Sequence, residues 1–234
     1  MRFRIAKLAA TLLTYLIVVA PLGAEIMVST IDDSAHSYAP LENIVAQEVS
    51  WMQSDAFSNV SIAVEIDPGG SLTISHSFSG TAYLTTDLGP GTTSADEIAD
   101  TSFSVTGTAF NPTLETLFDG LTLGPGTYYL VLVGSSGSGI GGVCGWEVDM
   151  VSSPVTTGPG ITIVDKHGYS PIVGYPPANT FSTPYLYSLQ YSVTGDEVPE
   201  PSTAVLWSAG LAVFVFSVRR RSPANPQTVT TPSE

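Results

Sequence analysis

Four acids crowd one short stretch of the chain: Asp87, Asp96, Glu97 and Asp100. Loop carboxylates, together with backbone carbonyls, are what a hard cation such as calcium takes as ligands. Asp32 and Asp33 form a second, smaller group. Neither is accompanied by an Asp-x-Asp-x-Asp run, so the expectation of calcium is compositional, and solvated charge is the competing account. The histidines are His36, His76 and His167. Asp32, Asp33 and His36 could meet Asp165 and His167 around a transition metal, but no His-x-x-x-His spacing supports it. Cys144 is the sole cysteine, which excludes an intrachain disulfide and a multi-cysteine zinc site. Beside Trp146 it reads as a small packing residue. Gly137-x-Gly139-x-x-Gly142 has the letters of a dinucleotide fingerprint, but a strand pattern follows where the mechanism needs a helix N-terminus. There is no Gly-x-Ser-x-Gly nucleophile motif. Carboxylates are plentiful enough for a glycosidase pair, yet no pair can be located. Tyr169, Tyr175, Tyr185 and Trp146 could line a sugar-binding face, or fill a core.

The elements that must hold these groups are strands. Val60, Ile62, Val64 and Ile66 alternate with Ser61, Ala63 and Glu65, the two-residue period of a half-buried strand. Leu72, Ile74, His76 and Phe78 alternate after Pro68-Gly69-Gly70, predicting a hairpin partner that places His76 on the apolar face. Ala46 to Met52, Ala82 to Thr86, Ser102 to Thr106, Leu114 to Phe118, Trp146 to Val151 and Ile161 to Val164 read as further strands. Tyr128 to Val133 is apolar on both faces and belongs in the middle of a sheet. In the last strand, Tyr185, Tyr187, Leu189, Tyr191 and Val193 face inward. Ile26 to Pro40 shows no clear period, and His167 to Pro184 reads as irregular. Ser94 to Glu97 has capping-box spacing for at most one helical turn. Leu-Gly-Pro-Gly-Thr occurs at Leu88 and again at Leu123, read as shared turn chemistry. Nine or ten short strands without a long amphipathic helix predict an all-β, antiparallel, jelly-roll-like β-sandwich.

Charge is distributed unevenly. Of seven Lys and Arg, three lie before Leu8 and three at Arg219 to Arg221. Between Glu25 and Glu200 one base, Lys166, stands against twenty acids, a formal charge of −19. Such a surface repels polyanions, which argues against a nucleic-acid partner.

Both ends have the chemistry of membrane traffic. Arg2, Arg4 and Lys7 precede an uncharged apolar stretch from Leu8 to Ala20, the layout of a secretory signal peptide over residues 1–24, with cleavage expected after Ala24. Val198-Pro199-Glu200-Pro201 cannot continue a strand or enter a helix, so residues 25–197 form the folded ectodomain. Ser202 to Val218 is an uncharged run of 17 residues, about 25 Å as a helix, near the lower limit for a transmembrane span. Arg219, Arg220 and Arg221 stop it and belong on the cytoplasmic side, which puts the body outside. Residues 222–234 are small, polar or proline and read as a disordered tail.

The order Pro-Glu-Pro, apolar helix, arginine cluster over residues 198–221 resembles the PEP-CTERM sorting signal of bacterial envelope proteins. The resemblance implies an exosortase-type membrane enzyme as partner. That enzyme would recognise Pro199-Glu200-Pro201 and remove the helix after export across the inner membrane. The protein would first be membrane-anchored, then reach the cell surface or extracellular matrix. The resemblance also implies an exopolysaccharide or biofilm setting. One departure is that thirteen residues follow Arg221. The body is more loosely similar to the β-sandwich ectodomains joined to such tails, through Leu121 to Leu132. The expectation is a non-enzymatic surface protein without a cofactor. A carbohydrate-binding module is the alternative, and a secreted hydrolase stands behind it.

Overall fold

The computed structural model describes residues 24–32, 37–41, 45–69, 72–135, 144–149, 155–182 and 188–198. The expected signal helix, transmembrane helix and tail, the Gly137 to Gly142 fingerprint, and Asp33, His36, Tyr185 and Tyr187 lie outside these residues. Among the described residues the chain is all-β, and no helix is long and apolar enough to cross a membrane.

Two antiparallel sheets are present. The larger contains β1 (Glu25–Ser29), β2 (Ser37–Pro40), β4 (Phe57–Asp67), β7 (Thr113–Leu123), β9 (Gly145–Asp149), β10 (Thr156–Thr157), β12 (Ser188–Leu189) and β13 (Tyr191–Glu197). Its order is β10-β1-β13-β4-β9-β12, with β7 also on β4 and β2 on β9. The second sheet runs β11-β3-β8-β5-β6, formed by β3 (Val45–Gln53), β5 (His76–Thr85), β6 (Glu97–Gly107), β8 (Gly126–Gly134) and β11 (Ile161–Pro171).

One hydrophobic core draws on both sheets. Val60, Ile62, Val64 and Ile66 are all fully buried, as their alternation requires. Trp51 on β3 stacks on Tyr128 of β8 at 5.8 Å and meets Tyr191 of β13 in the other sheet at 6.3 Å. Such large side chains, each burying on the order of 150–250 Å², dominate the drive to close two layers. Strand β8 is the middle of its sheet, with β3 and β5 on its flanks. Leu130, Val131 and Leu132 are all buried, so both faces of β8 are covered.

Several sequence expectations are corrected. The stretch without a clear period contains β1 and β2; a register shift between Ile26 and Val28 breaks the alternation that would have revealed β1. Leu72 and Ile74 are 70% and 62% exposed, and β5 begins only at His76, which is half-buried rather than in the core. Strands β4 and β5 lie in different sheets, so Pro68-Gly69 starts a crossing and not a hairpin. Asp67 ends β4 by accepting the Gly69 N–H at 2.6 Å and the Phe110 N–H at 2.9 Å. Ser94 to Glu97 forms no helix: Asp96 accepts from the Thr93 N–H at 2.9 Å in a tight turn, and Glu97 already starts β6. His167 to Pro171 is strand, the end of β11, disguised by register shifts between Ile163 and Asp165 and between Asp165 and Gly168. The last strand breaks at Gln190, where pairing passes from β9 to β1 and β4. Leu189, Tyr191 and Val193 face the core as expected, but Ser188 and Gln190 are buried as well.

Candidate functional site

The exit from the body is built by β13 and its neighbours. Glu197 pairs with Phe57, and the Val198 N–H donates to the Ala56 carbonyl at 2.8 Å. Asn59 Nδ2 donates to Asp196 Oδ2 at 2.7 Å and ties the same end of the strand to β4. The compact unit closes at Val198; Pro199, Glu200, Pro201 and Arg219 to Arg221 belong to a second unit outside the described residues. Strand β1 runs antiparallel to β13, with Glu25 opposite Gly195. Exposed Ala24 and Val198 therefore leave the body at the same end of the strands. A protease or transpeptidase needs extended, accessible backbone, and both junctions sit where ladder pairing runs out.

The four candidate calcium ligands gather around the β5–β6 hairpin, but three of their carboxylates have local tasks. Asp87 Oδ1 accepts the Leu88 N–H at 2.9 Å, and Asp96 Oδ2 holds Thr93 through N–H and Oγ1. Glu97 Oε2 accepts the Tyr175 hydroxyl at 2.5 Å. Asp100 pairs in register with Tyr83. Among the described residues no three His, Cys, Asp or Glu side chains assemble as a metal site. The Asp32 N–H is held by Gln190 Oε1 at 2.8 Å, while Asp165 and His167 lie on the irregular part of β11. Cys144 packs against the core, with its carbonyl accepting the Leu41 N–H.

Of the aromatic candidates among the described residues, Trp146 is withdrawn from any exposed face. Trp146 is fully buried and donates Nε1–H to the Gln190 carbonyl at 2.8 Å, a core role. Tyr175 meets Tyr83 edge-on at 5.7 Å. Tyr169 exchanges backbone hydrogen bonds with Ser182, each 3.0 Å. Burial, then the bond to Glu97, holds the Tyr175 phenol well above its usual range.

Two buried acids were not legible as special. Glu48 on β3 is 2% exposed, and its Oε1 has no hydrogen-bond partner. Burial, with like-charged Asp165 adding to it and Ser50 only partly offsetting it, pushes its pKa up to about 8. Glu147 on β9 is also 2% exposed; burial, then Asp67 and Glu65, push it to about 7, against a hydrogen bond from the Ser37 backbone. Burial lowers the His167 pKa, and its Nε2 lies 2.8 Å from Gln47 Oε1. The one available signal for Glu48 was an acid inside the run Ala46 to Met52. A two-residue period reads such a position as solvent-facing, because it cannot see what another part of the chain lays over that face.

A family model described as the PEP-CTERM protein-sorting motif matches residues 197–221. The match begins at the last residue of β13 and ends at the third arginine. No curated protein matches the chain.

Proposed function

We propose that this chain is an exported exosortase substrate whose strand-built body is displayed outside the cell as a non-enzymatic, jelly-roll-like sandwich. The chain carries the PEP-CTERM sorting motif, and that motif implies export, membrane anchoring and handling by exosortase, itself a membrane protein. The observation that carries the proposal is the juncture: the motif starts where the compact body makes its last hydrogen bond among the described residues, Val198 to Ala56. The enzyme would act at Pro199-Glu200-Pro201 without unravelling a sheet. An exopolysaccharide-rich matrix is the destination this reading favours, since a body with one base and twenty acids stays soluble and unbound to anionic lipid. A structural role rather than catalysis fits the acids of the β5–β6 hairpin, three of which are occupied with turn and tyrosine contacts.

Intact-mass measurement of the envelope form tests the proposal. The expected species starts near Glu25 and lacks Thr203 to Glu234. Replacing Pro199, Glu200 and Pro201 by alanine should leave the apolar segment and arginines attached. A wild-type species that retains Arg219 to Arg221 would reject processing and leave a single-span anchor.

A further inference from the structure

Residues 172–182 leave the end of β11, cross to the β5–β6 hairpin and return to β11. At the far point the Gly89 N–H donates to the Pro177 carbonyl at 2.9 Å, and Tyr175 binds Glu97. On return, Ser182 and Tyr169 exchange their backbone bonds. Pro176 and Pro177 are buried, while Val173 is 75% exposed and Gly174 takes φ 73°, a left-handed kink at the outgoing end. This segment lies over the side of the five-stranded sheet that faces away from the core.

Glu48 sits beneath it. Its Oε2 occupies the space above Gly168, its ladder partner, where any side chain would begin. Phe181 Cβ lies 3.5 Å from that same point and closes it from the strap side. Buried Thr92 Oγ1 and Asn179 Nδ2 likewise have no hydrogen-bond partner. A neutral carboxyl tolerates such a place; a carboxylate needs water or a cation. From β11, Asp165 opposes ionisation, exposed Lys166 points to solvent, and His167 is engaged with Gln47 and held toward its neutral form. From β8, Tyr129 feels both Glu48 and Asp87 of the hairpin; from β13, Tyr191 feels Glu48 and Asp165. None of the phenols supplies positive charge.

We propose that residues 172–182 are a strap that stays shut over a protonated Glu48 and lifts to hydrate it when it ionises, uncovering the outer face of the five-stranded sheet. The other boundaries of the site are sheet ladders, β3–β11 and β3–β8, paired along most of their length. The strap is held by a handful of bonds, so it is the wall that yields.

Hydrogen exchange on the full chain in detergent micelles tests this. With Glu48 titrating near 4.5 when open and about 8 when shut, strap opening should rise about tenfold per pH unit between those values and level off above. After correction for intrinsic exchange, the Gly89, Asn179 and Ser182 amides should follow that slope. The Leu130 and Leu132 amides of β8 should not. Glu48→Gln should flatten the strap's slope, and Phe181→Ala, which opens one wall, should shorten its upper end. A flat profile in the wild type, an unchanged slope in Glu48→Gln, or strap and β8 amides moving together would overturn the proposal. If Glu48→Gln does not fold, Phe181→Ala with no change in the profile overturns it equally.

Discussion

Glu147 shows how a single side chain can set a pH response for the whole body. Its folded pKa, about 7, is raised above the usual carboxylate value by burial and by Asp67 and Glu65. The folded state then holds a proton that the unfolded state gives up, so stability is greatest in acid and is lost as pH rises through the folded value. Glu48 acts in the same direction up to about 8. His167, lowered by burial, opposes them only below its ordinary value of 6.5. Above pH 6.5 the acids act alone, and the melting temperature should fall from pH 6.5 to about 8 and then level off. Glu147→Gln keeps an oxygen for the Ser37 N–H and removes the charge. It should melt a few degrees above wild type at pH 8 and close to it at pH 5, as scanning calorimetry would read. Equal melting of the two proteins at pH 8 would show that burial does not raise the Glu147 pKa.

At the scale of elements, one pentapeptide does two different jobs. Leu88-Gly-Pro-Gly-Thr92 closes the β5–β6 hairpin, with Gly89 at φ 107° and Gly91 at φ 112°. Leu123-Gly-Pro-Gly-Thr127 carries the chain from β7 in one sheet to β8 in the other, and neither glycine there has a positive φ. The shared turn chemistry expected from the repeat is therefore absent: the backbone took its shape from which strands needed joining. Gly89→Ala forces a side chain into a conformation costing about 1 kcal/mol or more, whereas Gly124→Ala meets nothing within 4 Å and loses unfolded-state entropy. Urea titrations should find the first destabilised by about that amount and the second unchanged or slightly stabilised. The hairpin once expected between β4 and β5 failed for a related reason. Alternation at Leu72 and Ile74 looks the same in a strand as in a connection that spans two layers.

For the molecule as a whole, charge and topology pull apart. One lysine against twenty acids between Glu25 and Glu200 leaves the body repelling itself. Raising salt from about 0.01 M to 0.15 M shortens the Debye length from roughly 30 Å to 8 Å, so the melting temperature should rise with sodium chloride at pH 7.5. A flat or falling response would mean that the acids are already neutralised by bound cations. The arrangement that places Ala24 and Val198 at one end of β1 and β13 means both chain junctions can be reached without disturbing the remainder of the fold.

Much of this was written in the order of residues along the chain. Strand β4, the central place of β8, the inward set Leu189, Tyr191 and Val193, and the sorting signal all depend on neighbours a few positions away, and local patterns record them. The partition of charge is composition alone. Which strands share a sheet, where β12 gives way to β13, and the burial of Glu48 and Glu147 depend on segments far apart in sequence closing over one another. Burial is a property of what lies on top, and a two-residue period names only the side on which a residue points. Tertiary packing therefore decided that Glu48, one residue in a short strand run, is the acid most burdened by the cost of ionising inside the protein.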